Sequence, residues 1–207
     1  MSDTFYNLVW LIGSHIFWVS SRPVVMGREY TRVTGPFIIA ANHESNYDSA
    51  LIIRHSSRSV DPLVAAEVLK KPFPKWFLLS MNSIAVERSR NDAGAVREIM
   101  KRLEAGRGVV IFPEGRVQRG EESVIHTRRI RPGVGQLAKM ADVPIIPCVT
   151  INTSPYEKRS SWLPLKAVRY GIIFGPAIAP AGEAAEIEQR MIEEWVRLHR
   201  ILRNAMK

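Results

Sequence analysis

The chain has 207 residues, 46% of them hydrophobic, which suits one domain with a sizeable core that needs no staples. A single cysteine, Cys148, excludes an intramolecular disulfide and fits the reducing, cytosolic side of a membrane. The formal charge of +9 favours a phosphate-bearing partner, whether nucleic acid, an anionic lipid surface or a small substrate, without choosing among them.

Residues 5–19 come first, an apolar and aromatic run that includes Tyr6, Trp10, Phe17 and Trp18. The run is shorter than the roughly 20 residues that span a bilayer. Asp3 stands where a secretory signal would carry basic residues. We expect residues 1–22 to form a helix lying in the membrane interface, with a buried core helix as the other reading, and residues 23–207 to form the main domain. Beyond Pro23, β-branched runs at 37–41, 63–66, 84–87, 109–112, 145–151 and 168–174 predict buried strands. Helices are expected over 49–55, 92–104 (capped by Asn91 and stopped by Gly106) and 133–140. Residues 183–206 predict one long amphipathic helix, with Ile187, Met191, Trp195, Leu198 and Leu202 on one stripe. The alternation predicts an α/β fold: a single domain with a mixed, largely parallel sheet flanked by helices, plus the N-terminal membrane-interface helix.

Two stretches carry candidate chemistry. Asn42-His43-Glu44-Ser45-Asn46-Tyr47-Asp48 follows one predicted strand, at the strand end where α/β active sites collect. An imidazole that takes a proton from a hydroxyl needs a fixed tautomer and support for the resulting charge, and Asp48 can fold back to give His43 both. A His and an Asp five apart also arise by chance, as an incidental His and a helix-capping Asp. Phe112-Pro113-Glu114-Gly115-Arg116 ends another predicted strand, where an arginine fork can face a phosphate and Glu114 can orient it. The bland alternative is a surface turn with a Glu–Arg pair. Ile84-Ala85-Val86-Glu87-Arg88 ends a third in charge, and Val143-Pro144-Ile145-Ile146-Pro147 has no reactive group and suits a pocket wall.

Taken together these four blocks resemble the 1-acylglycerol-3-phosphate O-acyltransferase family, in order and rough spacing, across about residues 25–180. Asn42, His43 and Asp48 match its Asn-His-(four residues)-Asp block, Arg88 its second block, Phe112 to Gly115 its Phe-Pro-Glu-Gly-Thr-Arg block and Val143 to Pro147 its last. Arg131-Pro132-Gly133 is similar to the family's link between its last two blocks. The resemblance implies that His43 deprotonates an acceptor hydroxyl, oriented by Asp48, and that the hydroxyl attacks an acyl thioester. It implies an acceptor pocket made by Asn42, Arg88, Glu114, Gly115 and Arg116, with no metal and no cofactor beyond acyl-CoA or acyl-carrier protein as co-substrate. The implied acceptor is 1-acylglycerol-3-phosphate, with another lysolipid or a lipid alcohol as the runner-up, and the implied site of action is the cytoplasmic face of an anionic membrane. A member of the family that binds lipid without catalysis is a further reading.

Two departures bear on the acceptor. Arg116 follows Gly115 directly, without the intervening Thr, which leaves Arg119 as a substitute. The family's Lys-Lys-Glu-Leu run is replaced by Ala66-Glu67-Val68-Leu69, with Lys70 and Lys71 displaced. The run from Lys70 to Phe77 interleaves cations with aromatics and suits docking on anionic lipid. No zinc-finger spacing, RNA-recognition aromatic signature or recognition helix supports a nucleic-acid partner. No His-Glu-x-x-His run supports a metal-dependent hydrolase, and Cys148, within an apolar strand, reads as packing rather than as a nucleophile.

Overall fold

The structure, a computed structural model, describes residues 20–70, 82–87, 92–162 and 167–207, with Leu11 and His15 ahead of them. Most of the expected interfacial helix, the cation–aromatic run from Lys71 onward and Arg88 lie outside the described residues. In chain order the elements are β1 (Ser21–Met26), β2 (Phe37–Ala41), α1 (Asp48–His55), β3 (Val60–Ala65), β4 (Ile84–Val86), α2 (Ala93–Glu104), β5 (Gly108–Ile111), α3 (Val124–Thr127), α4 (Val134–Ala141), β6 (Ile145–Ile151), β7 (Val168–Phe174) and α5 (Ala184–Ala205). The expected α/β domain is therefore observed, with several boundaries moved by one to three residues.

Among the described residues seven strands form one sheet in the order β1-β7-β6-β2-β5-β3-β4. Every neighbouring pair is parallel except β6 and β7. Parallel strands buried on both faces need apolar side chains on both, which is why they read as continuous apolar runs. In β2, Ile38 and Ala40 face the core under α2, α4 and α5, while Phe37, Ile39 and Ala41 face the core under α1. All five β2 residues are buried.

β1 was not among the expected strands, and the expected boundary after residue 22 falls inside it. Among the described residues it is an edge strand paired only to β7, a position that tolerates Pro23. α2 begins at Ala93, one residue after the expected start. Asp92, rather than Asn91, is the N-cap, its Oδ1 accepting from the Ala95 N–H at 2.9 Å and its Oδ2 from the Glu87 N–H at 2.8 Å. α5 buries the predicted stripe and Ile192 with it. Its Trp195 is fully buried and donates from Nε1 to the Ala40 carbonyl at 3.0 Å, tying the helix to β2 just before the His43 loop. Glu188 of α5 accepts from the N–H groups of Gly133 (2.8 Å) and Gly135 (3.1 Å), which satisfies the opening turn of α4.

β2, β5 and β6 run parallel at the centre of the sheet, so their C-terminal ends open on one edge. The loops after Ala41, Ile111 and Ile151 meet there. Among the described residues no helix is long and apolar enough to cross a membrane.

Candidate active site

The loop after β2 is folded around one carboxylate. Asp48, the first residue of α1, is fully buried. Its Oδ2 accepts from the backbone N–H groups of Glu44 (2.7 Å) and Ser45 (2.8 Å) and lies 3.1 Å from His43 Nδ1. Its Oδ1 accepts from the Thr153 hydroxyl at 2.5 Å. The carboxylate thus fixes the turn that carries His43 and the ring itself. With Nδ1 facing Asp48, the ring carries its second nitrogen, Nε2, without a partner among the described residues. His43 is buried, and its ring stacks on Phe112 at a centroid distance of 4.2 Å, so packing also holds its plane.

The loop after β5 supports the same histidine from the other side. Glu114 Oε1 accepts from the His43 N–H at 3.0 Å, and the His43 carbonyl accepts from the Gln118 N–H at 2.8 Å. Glu114 is buried, and among the described residues its Oε2 has no hydrogen-bond partner. Burial pushes the Glu114 carboxyl up to about 7; the His43 and Val124 amides pull it down, while the Asp48 charge adds to the rise. Burial also raises the Glu44 carboxyl, against the pull of the Thr153 amide.

Asn42 is placed beneath the site rather than in it. Its Oδ1 accepts from the Thr150 N–H at 2.8 Å and its Nδ2 donates to the Thr150 carbonyl at 3.0 Å, which locks the ends of β2 and β6 together. Arg119 donates from Nε to the Glu44 carbonyl at 2.7 Å and pairs with Glu157 at 2.6 Å, strapping the loop from outside. Arg116 is exposed and does not border the cleft described next. Cys148 is fully buried, and burial pushes its thiol well up, as suits packing.

His43, Phe112 and Gly115 border a cleft of about 680 Å³ that runs between the β3–β4 edge and helices α2 and α4. Its walls are mainly apolar, with Leu63, Val86, Ile99, Ile111, Val134 and Leu137 among them. Arg97 and Arg131 add guanidinium groups. Thr153 and Arg131 escaped the sequence-based site. Thr153 belongs to no motif and reaches Asp48 only through the fold, whereas Arg131 sits in a block that was matched without a role. Among the described residues no three His, Cys, Asp or Glu side chains cluster so as to hold a metal ion.

A base held by a buried carboxylate, at the mouth of an apolar cleft, can remove a proton from a hydroxyl of an amphipathic substrate. The chain is similar to known proteins in sequence and in fold. The chain is 28% identical over 123 residues to the 1-acyl-sn-glycerol-3-phosphate acyltransferase of Saccharomyces cerevisiae, covering 58% of this chain and 40% of that protein. It is 29% identical over 150 residues to the enzyme of the same name from Borreliella burgdorferi, covering 72% and 56%. The chain thus spans about half the length of these curated relatives. The crystal structure of the 1-acyl-sn-glycerophosphate (LPA) acyltransferase PlsC from Thermotoga maritima has the same fold, with a TM-score of 0.73 at 21% identity over 93% of this chain and 77% of that one. The model of the Acyltransferase family matches residues 22–151, which contain His43, Asp48 and Glu114, and the chain belongs to that family.

Proposed function

We propose that the protein is an O-acyltransferase that moves a fatty acyl group from a thioester to the hydroxyl of a lysophospholipid, with 1-acylglycerol-3-phosphate as acceptor and phosphatidate as product. The observation that carries this reading is the buried His43–Asp48 pair beside a cleft whose walls suit an acyl chain. Both curated relatives carry that acceptor in their names.

His43 Nε2 takes the hydroxyl proton as the acceptor oxygen bonds to the thioester carbonyl carbon. The carbon–sulfur bond then breaks, and the thiol leaves with the proton that His43 held. Asp48 fixes the tautomer and supports the imidazolium, a contribution of the kind worth about 10²–10⁴ in rate. Glu114 positions the His43 backbone, Asn42 secures the strand ends below it, and Gly115 lets the β5 loop turn back on the site. This chemistry calls on no metal and no resident cofactor. Either acyl-CoA or acyl-carrier protein supplies the thioester. The excess positive charge suits an anionic leaflet on the cytoplasmic face of a membrane as the place where the acceptor is met.

The experiment is thiol release from a long-chain acyl-CoA by purified protein in detergent, with a panel of lysolipids. Release that depends on lysophosphatidate is expected, and His43→Ala is expected to abolish it while leaving the protein folded. Release with a different acceptor moves the substrate and keeps the chemistry. Full activity in His43→Ala would falsify the mechanism.

A further inference from the structure

We infer that Arg131 supplies the guanidinium that holds the acceptor's phosphate, a place the sequence pattern gives to an arginine just after Gly115. The inference rests on the acyl-transfer reading above and assigns the headgroup end of the same cleft.

Arg131 borders the cleft together with His43 and Gly115. Its backbone is pinned to the β5 loop, the Arg131 N–H donating to the Pro113 carbonyl at 2.8 Å. Its side chain lies directly on Gly115. A Cβ at position 115 would meet Arg131 Nε at 2.5 Å, Cδ at 2.6 Å and Cζ at 2.9 Å. Gly115 also has φ +72°, a conformation that side chains rarely adopt. The glycine therefore does two things: it turns the loop and leaves the passage that the guanidinium occupies. The residue before it, Glu114, holds the His43 N–H, so the guanidinium lies one residue along the chain from the anchor of the base.

Among the described residues, the other candidate cations are placed less well for this role. Arg116 is exposed and does not border the cleft. Arg119 lies outside the loop, on the Glu44 carbonyl and Glu157, and does not border the cleft. Arg97 does border the cleft, but its charge acts on the Asp92 carboxylate, next to β4. A planar guanidinium donates two parallel N–H groups to a phosphate and so fixes both its place and its orientation.

Phosphate oxygens reach this enzyme from two sources, the acceptor and the nucleotide end of acyl-CoA. In 1-acylglycerol-3-phosphate the reacting hydroxyl and the phosphate are on neighbouring carbons. In acyl-CoA a long pantetheine arm separates the phosphates from the thioester. A cation beside Gly115, on the cleft that His43 also borders, fits the acceptor.

The test is steady-state thiol release with lysophosphatidate and acyl-CoA varied separately. Arg131→Ala should raise the KM for lysophosphatidate about 10- to 100-fold, as expected for loss of a charged hydrogen-bonding partner. The change in kcat and in the KM for acyl-CoA should stay within about threefold. Arg131→Lys, which keeps the charge and loses the fork, should fall between the two. An unchanged lysophosphatidate KM in Arg131→Ala overturns the assignment, as does a rise confined to acyl-CoA or a loss reproduced by Arg116→Ala in its place. Calorimetric titration with glycerol 3-phosphate separates this inference from the reading it rests on. Binding to the wild type that is lost in Arg131→Ala supports the anion site even where no lysolipid is acylated, and equal or absent binding in both proteins refutes it.

Discussion

Asp48 gathers four donors on two oxygens, from the His43 ring, two loop amides and the Thr153 hydroxyl. A carboxylate so placed sets the tautomer of the imidazole and the shape of the turn at once. In Asp48→Asn an NH₂ group must face one set of these donors, and the ring loses its orienting acceptor. We expect kcat for acyl transfer to fall about 10²- to 10⁴-fold with the lysophosphatidate KM changed only a few-fold, read by thiol release. Thr153→Val removes the Oδ1 donor alone and should lower kcat about tenfold. A KM effect larger than the kcat effect in either variant would place Asp48 in the pocket rather than behind the base. The closeness of His43 and Asp48 was legible in the sequence because they lie across one strand-to-helix turn. Thr153 and Arg131 were not, because they reach the site from other loops; Thr153 is 105 residues from Asp48 along the chain. Periodicity and local motifs carry no record of such neighbours.

At the scale of elements, α5 does more than cover the sheet. Its Trp195 fills the core above β2 and β6 and donates to the Ala40 carbonyl, three residues before His43. Trp195→Ala should cost about 3–5 kcal/mol, through the cavity left behind and an acceptor that loses its partner. Trp195→Phe keeps most of the packing, loses the hydrogen bond and should cost about 1–2 kcal/mol. Urea unfolding followed by circular dichroism measures both. Equal losses in the two variants would show that the hydrogen bond, not the volume, dominates. The apolar stripe of α5 was readable because a 22-residue amphipathic helix repeats its signal over many turns. β1 was not, because Pro23 and a preceding aromatic run mask a short edge strand whose one partner, β7, lies about 145 residues later. The β3 start at Val60 was hidden in the same way by Asp61 and Pro62. Asp61 is buried there because Arg107 (2.6 Å) and Arg102 (3.0 Å) pair with it, contacts that only the fold brings together.

For the whole molecule, two buried groups make stability depend on pH in opposite senses. Burial lowers His55, which bonds Tyr170, from 6.5 to about 3, with the charges of Arg54 and Arg28 adding to the shift. The unfolded chain therefore binds this proton first as pH falls, and stability is lost on acidification from about 6.5 toward 3. Glu114 behaves the other way. Its carboxyl moves from 4.5 up to about 7, so the folded protein holds a proton that the unfolded chain has released. Stability from this group is present below about 4.5 and is lost as pH rises to about 7. Between about 4.5 and 6.5 the two slopes oppose each other, and the wild type should show a shallow profile that declines toward pH 7. Glu114→Gln keeps an oxygen for the His43 N–H and removes one of the two slopes. Relative to the wild type its stability should rise with pH up to about 7, the raised Glu44 carboxyl being common to both proteins. At pH 8 it should exceed the wild type by about 2–3 kcal/mol. Urea midpoints at pH 5, 6, 7 and 8 decide the matter. Parallel profiles for the two proteins would mean that the buried carboxyl beside His43 ionises as readily as one in the unfolded chain, and that the unpartnered Oε2 is reached by a donor that satisfies it.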